Sequence, residues 1–295
     1  MIGFAPGSVN FSVSLDPDSL KVSESIPAQR IRVDDAPRVV VENRVGRISI
    51  EAGGDGAVEV EAEKHAATKE DLAEIKMGVE KEGNAVTIKW DPNEPTIVNR
   101  SLDITIKAPK SSSIQLHTGN GAIAIKGFER GASAKSGLGP IAVKGVGGDL
   151  ALHSGNGAIT ADGATGTVTA ESGVGAVTVN GSGGARKIHT GNGPIRLDGV
   201  EGTVDAESGV GAIEVSGRLS GRSRISTGNG RIVVTLPTDS KLAIDASTGN
   251  GAINNEFSLP VDGFVSRRSK GNLGDGSGGS LRLSTGIGSI ELRKK

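Results

Sequence analysis

The stretch Ser154-Gly-Asn-Gly-Ala-Ile-Thr-Ala-Asp-Gly-Ala-Thr-Gly-Thr-Val-Thr-Ala-Glu171, followed at once by Ser172-Gly-Val-Gly-Ala-Val-Thr-Val-Asn180, decides the fold. Its opening tetrapeptide, [Ser/Thr]-Gly-X-Gly, recurs at Thr118, Ser136, Ser154, Ser172, Thr190, Ser208, Thr227, Thr248 and Thr285. The first five steps are 18 residues each, followed by 19, 21 and 37. A fixed period with glycines at a fixed offset is the mark of near-identical coils stacked on one another. Inside one unit, Gly157–Gly163 and Gly166–Ser172 read as two strands separated by glycine turns. Alternation places Ile123, Ile141, Ile159, Val177, Ile195, Ile213, Ile232 and Ile253 in one inward column. Ile125, Val143, Ala161, Val179, Leu197, Val215 and Val234 fall in a second. The expected class is all-β: a β-solenoid of about 18-residue repeats, with one short helix in the N-terminal segment.

The corners account for the glycines. Gly119-Asn120-Gly121, Gly155-Asn156-Gly157 and Gly191-Asn192-Gly193 are read as structural turns. Several of these positions are expected at positive φ, which glycine and sometimes asparagine accept. Stacked asparagines are also expected to bond one another as an amide ladder.

A second period overlies the first. Asn120, Asn156, Asn192, Asn229 and Asn250 alternate with Leu138, Val174 and Val210 at the third place of the motif. His117, His153 and His189 precede the asparagine type, and Lys135, Glu171 and Glu207 the other. Large residues (Leu116, Leu152, Ile188, Ile225) alternate with Ala134, Ala170 and Ala206 on the second strand. A coil of 36 residues would stack like on like. A coil of 18 would alternate large with small and histidine with glutamate, and is favoured because two short facing strands make a thin core that Val and Ala can fill.

Outside the array, residues 1–36 read as an irregular leader broken by Pro6, Pro17 and Pro27, with Phe11–Leu15 a short strand candidate. Residues 37–112 read as a β-rich capping segment. Arg47–Glu51 and Ala57–Ala62 alternate as strands, with Gly53-Gly54-Asp55-Gly56 as the turn between them. The segment 68–76 is the helix, capped by Thr68, with Leu72 and Ile75 on one face. The repeats run over 113–253, and 254–295 combines an insertion loop with a last repeat that caps the end.

Composition narrows the function. Of 295 residues 46 are glycine, aromatics are 2%, and cysteine is absent. The near absence of Trp and Tyr removes the stacking platforms of nucleic-acid and glycan clefts. A net charge of −1 leaves no basic footprint for nucleic acid. Met1–Gly7 does not read as a signal peptide, and no apolar run reaches the roughly 20 residues that span a bilayer, so insertion into a membrane is not expected.

Val39–Glu51, Val58–His65, Asn84–Lys89 and Leu102–Pro109, followed by repeated Thr-Gly-Asn-Gly-Ala-Ile units, together resemble the bacterial putative-adhesin family. That family is a domain of unknown function with β-strand repeats, and the resemblance covers about residues 37–292. It implies a β-solenoid associated with the cell envelope and brings no catalytic residues with it.

Candidate chemistry is sparse. His117, His153 and His189, with Glu171 and Glu207, form a candidate surface ladder, but ligands spaced by strand stacking lie about 5–10 Å apart and cannot share one ion. In the 18-residue geometry the histidines would pair with Glu171 and Glu207. Gly274–Gly279 matches G-x-G-x-x-G only formally, lacks both the preceding strand and the helix that a dinucleotide fingerprint needs, and is read as a flexible loop. Trp90 is read as a core residue of the cap. No catalytic, cofactor or metal site is expected. The favoured function is a non-catalytic, adhesin-like binding module of the bacterial envelope, with a protein or glycan partner. The alternatives are a scaffold that self-associates through the solenoid ends and, third, a polysaccharide-active β-helix.

Overall fold

A computed structural model of the protein describes residues 20, 22–54, 56–90, 99–181 and 183–295. The candidate strand Phe11–Leu15 lies outside these residues, as do Pro6, Pro17 and Asp55 of the glycine turn. The chain forms two long sheets, of 13 and 14 strands, that face each other across one apolar core. Each repeat gives one strand to each sheet, and the [Ser/Thr]-Gly-X-Gly corner carries the chain from one to the other.

The coil has 18 residues. Ala134 is the parallel partner of Leu116 on one side and of Leu152 on the other, and Ala170 lies between Leu152 and Ile188. Large and small side chains therefore alternate up a single column, each large one covering the space above an alanine. The inward isoleucines and valines named from the pattern are buried. One column is broken by a cation. Arg186 stands where neighbouring coils place Ala132, Leu150, Val168 and Val204, and it is 1% exposed. Its guanidinium donates to the carbonyls of Gly166 (2.7 Å) and Gly181 (3.3 Å), and Nε has no partner among the described residues. Burial pushes its pKa below the ordinary arginine value.

At both ends, spatial order departs from chain order. Arg38–Val45 and Ile48–Ala52 form a coil that lies between the array's first coil, Ser113–Asn120 with Ile123–Lys126, and a later one, Ala85–Trp90 with Arg100–Ala108. Trp90, 3% exposed, fills the core of that outer coil as expected. Ile48–Ala52 and Ala57–Ala66 are not a hairpin, because Arg100–Ala108 lies between them. At the other end the last strands of the chain, Gly279–Ile287 and Ile290–Lys294, slot between Gly221–Leu236 and the coil Leu242–Asn250 with Ile253–Asn255. The long final step of the repeat is thus an excursion: the chain builds the outermost coil first and returns to fill the rung inside it.

Part of the leader is ordered. Val22–Arg32 is a strand, antiparallel to Ala57–Ala66, with Val22, Ile26 and Ile31 packed on the core. The register shifts between Ile26 and Gln29, where Pro27 supplies no N–H for the ladder. The helix spans Lys69–Glu74, two residues shorter at its end than expected, because Ile75 leaves helical backbone to bury itself. Asp71 N–H donates to Thr68 Oγ1 at 3.1 Å, which caps the first turn. Hydrogen bonds from Thr68 and Arg100 hold the Asp71 carboxyl below its ordinary pKa.

Candidate functional site

The outward side of the 14-strand sheet presents its side chains in straight columns, because every parallel pair in the array is in register. One column reads Glu42, His117, Lys135, His153, Glu171, His189 and Glu207. Successive members are about 4.8 Å apart along the stack. His153 Nδ1 lies 3.6 Å from Glu171 Oε2, and His189 Nδ1 lies 4.0 Å from Glu207 Oε2. These are the two pairs expected from the repeat. Both are about half exposed, so each contributes at most about 1 kcal/mol. His117 stands between Glu42 and Lys135 instead. Histidines recur only on every second rung, and no group of three metal-ligating side chains occurs among the described residues. Near the N-terminal end the same face carries a shallow groove of about 530 Å³ lined by Glu42, Gln115, His117 and Lys135.

The corner ridge is a second repeated surface. In spatial order it reads Val45, Asn120, Leu138, Asn156, Val174, Asn192, Val210, Asn229, Ile287 and Asn250. Each asparagine thus neighbours an aliphatic residue, and the expected amide ladder does not form, because an 18-residue coil separates like from like. Val174, Val210 and Ile287 are each more than half exposed.

The corners owe their glycines to space as well as to positive φ. Gly119, Gly155, Gly191 and Gly157 are not at positive φ, nor are Asn120, Asn156 and Asn192. A Cβ on Gly155 would stand 2.4 Å from the carbonyl oxygen of Gly137, and one on Gly157 2.2 Å from that of Gly139. Of the motif's second glycines, Gly121, Gly139, Gly175, Gly193 and Gly211 are at φ between +142° and +159°, the positive φ expected at the corners, and are equally crowded. The coils stack backbone on backbone here and leave no room for a side chain.

The first motif residue has a role that pattern reading missed. Its hydroxyl is buried and donates to the second glycine's carbonyl in the preceding coil. Ser136 reaches Gly121 O (2.9 Å), Ser154 Gly139 O (2.9 Å), Ser172 Gly157 O (3.0 Å) and Ser208 Gly193 O (2.9 Å). Thr118, Thr190 and Thr227 do the same with Gly46, Gly175 and Gly211. The ladder follows space, not chain order: Thr285 bonds Gly230 and Thr248 bonds Gly288. In the first coil Asn43 takes the position, pairing with Thr118 in register, and its Nδ2 donates to Leu102 O at 2.8 Å. The signal was the strict Ser/Thr choice at the motif's first place.

The formal G-x-G-x-x-G stretch is an ordered turn, not a flexible loop. Asp275 accepts from Ser277 Oγ (2.7 Å) and Ser277 N–H (3.1 Å), and Lys241 Nζ lies 3.3 Å away. These hydrogen bonds lower its pKa to about 2. A strand is present here against expectation: Gly274–Ser277 end the strand Arg267–Ser277 and Gly279 begins the next, Gly279–Ile287, so no helix N-terminus is offered to a phosphate.

The family model of the Toastrack domain DUF4097 matches residues 38–292. No curated protein matches the chain. A solved structure from Bacteroides fragilis described as a putative adhesin is 15% identical, covers 91% of this chain and 97% of its own, and has a TM-score of 0.47. One from Parabacteroides distasonis, similarly described, is 11% identical, with 91% and 97% coverage and a TM-score of 0.37. A Clostridium sporogenes structure described as a putative cell adhesion protein is 13% identical, with 91% and 99% coverage and a TM-score of 0.23. These likenesses assign no ligand.

Proposed function

Because this chain belongs to the Toastrack DUF4097 family of β-strand repeat domains, we propose that it is a non-catalytic, adhesin-like binding module of the bacterial cell envelope. Its partner is a protein or glycan of an envelope surface, and no cofactor is involved. One observation carries the reading: the outward column from Glu42 to Glu207 holds charged and imidazole groups at rung spacing on a rigid sheet. Such a face meets an extended partner at many points without reordering itself, which is how modest individual contacts add to useful affinity.

The test is binding of the purified chain to isolated envelope fractions. Replacing Lys135, His153 and Glu171 together by Ala should weaken binding at least tenfold and leave the melting temperature unchanged, since all three are exposed. Undiminished binding by that variant would remove the face from the reading. Failure of the wild-type chain to bind any fraction, with the native protein closed to external protease, would remove the envelope role itself.

A self-assembling scaffold is the second reading. Against it, the 13-strand sheet ends at the C-terminal side in the three-residue strand Ile253–Asn255, which offers little edge to another copy. Light scattering across a concentration series separates the two: a scaffold grows with concentration and a binding module stays discrete.

A further inference from the structure

The strands Val261–Asp262 and Arg267–Ser277 form an antiparallel hairpin on the edge of the 14-strand sheet, at the C-terminal end of the solenoid. Its apex is Gly263-Phe264-Val265-Ser266. Phe264 is 91% exposed and Val265 64% exposed, with Val261 40% exposed beside them. The contrast with the other phenylalanines described is sharp. Phe128 is buried, and Phe257 packs on the core with the Lys294 ammonium 5.4 Å from its ring centre. Phe264 supports nothing in the fold, so folding does not explain an aromatic at a hairpin tip.

Charge says what covers it. Segment 254–295 holds seven basic and four acidic residues, a net +3, in a chain whose net charge is −1. On the hairpin itself, Arg267 has no ion-pair partner among the described residues, and Lys270 stands opposite Asp245 in the ladder without closing to an ion pair. Arg268 is held by Asp245 at 2.7 Å and stands opposite Asp262 in the hairpin. Apolar groups at an apex, with cations just behind, are the arrangement that meets a lipid headgroup layer: the apolar tip enters the acyl boundary and the bases stay among phosphates.

We propose that this hairpin is a peripheral anchor for an anionic lipid surface, with Phe264 and Val265 entering the interface and Arg267 and Lys270 contacting headgroups. This differs from the expectation that no part of the chain enters a membrane: the contact is superficial and nothing spans. It is independent of the polar face proposed above, which lies on other residues.

The experiment is flotation of the full chain with phosphatidylcholine vesicles, with and without phosphatidylglycerol. The wild type should float with the anionic vesicles, little with the neutral ones, and be released by high salt. Phe264→Asp should bind about tenfold more weakly or worse, the loss of one buried aromatic. Arg267→Gln and Lys270→Gln should each weaken binding about fivefold. A Phe264→Trp variant supplies an independent signal: the introduced indole should shift to the blue when anionic vesicles are added. No flotation with anionic vesicles, or equal flotation of Phe264→Asp, overturns the proposal. So does a concentration-dependent dimer that Phe264→Asp abolishes without any vesicle binding, which would make the tip a contact between copies.

Discussion

Between residues 113 and 219 the chain stacks as it is made, each strand pairing with those one repeat before and after. At the two ends it does not. Arg38 pairs with Ser113, and Gly221 with Gly279, so the terminal coils are assembled from segments far apart in sequence. The difference follows from what limits a solenoid. In a stack where each coil touches only its neighbours, the end coil has one neighbour and frays first. Slotting the chain's last strands between two earlier coils turns the terminal segment into an interior rung, and leaves outermost a coil already clamped by the antiparallel strand Arg267–Ser277. The array relies on local contacts that are cheap to close, whereas the ends accept longer loops in exchange for burial on both sides.

The largest test of this contrast is truncation. A chain ending at Ser277 loses the rung between Gly221–Leu236 and Leu242–Asn250. Amide exchange should show protection lost across 242–277 and retained across the array. Retained protection in 242–255 would mean that the outer coil closes directly on Gly221–Asn229 and that the slot is dispensable.

Two glycines separate crowding from conformation. Gly157→Ala puts a methyl 2.2 Å from the Gly139 carbonyl oxygen and should cost about 3 kcal/mol or more. Gly145 is at φ +62° with nothing within 4 Å of a Cβ, so Gly145→Ala should cost only about 1 kcal/mol. Denaturant titration of both variants decides it, and the reverse ranking would make conformation the larger of the two constraints.

The hydroxyl ladder predicts a smaller effect. Ser172→Ala leaves the buried Gly157 carbonyl without its 3.0 Å donor and should cost about 1–3 kcal/mol, while Ser172→Thr should be close to silent, since threonine holds the same place at Thr190. Thr248→Ala, on the outermost coil, removes an equivalent bond at 2.9 Å. If the ends are as firmly held as the array, its cost matches that of Ser172→Ala. A much smaller cost would show the outer coil fraying.

The smallest effect is electrostatic. The folded pKa of Asp275 is lowered from 3.8 to about 2 by its bonds to Ser277, so its charged form favours the folded turn. That contribution is present above the unfolded value near 3.9 and fades as pH falls toward 2. An NMR titration of the Asp275 carboxyl should show a midpoint near 2, and one near 4 would mean that the turn between the hairpin and the last coil is open in solution.

Much of this was legible in residues. Ile123, Ile141 and Ile159 at one spacing fixed the coil interior, whereas Leu116 against Ala134 argued for the 36-residue coil that the register rules out. His153 with Glu171 and His189 with Glu207 followed from the same spacing. The pattern gave half of the reason for the corner glycines: positive φ was expected and is found at Gly121 and Gly193, but a period does not report that a neighbouring coil's carbonyl also excludes a side chain. Asn43 escaped notice because it does the work of a serine without resembling one. Arg186 escaped because a lone charged residue in an apolar column looks like a departure from the repeat rather than a member of it.

What the sequence determined by itself is whatever repeats locally: the strand alternation, the 18-residue rung and the outward columns, all set by side-chain volume and backbone period within one or two coils. What only the tertiary structure decided is which segment closes each end. Several rungs present the same apolar face and the same [Ser/Thr]-Gly-X-Gly corner, so local chemistry cannot choose among them. The choice falls to long-range fit: the path of the connecting loops, the antiparallel strand that covers Leu242–Asn250, and the slot that the chain's last strands fill.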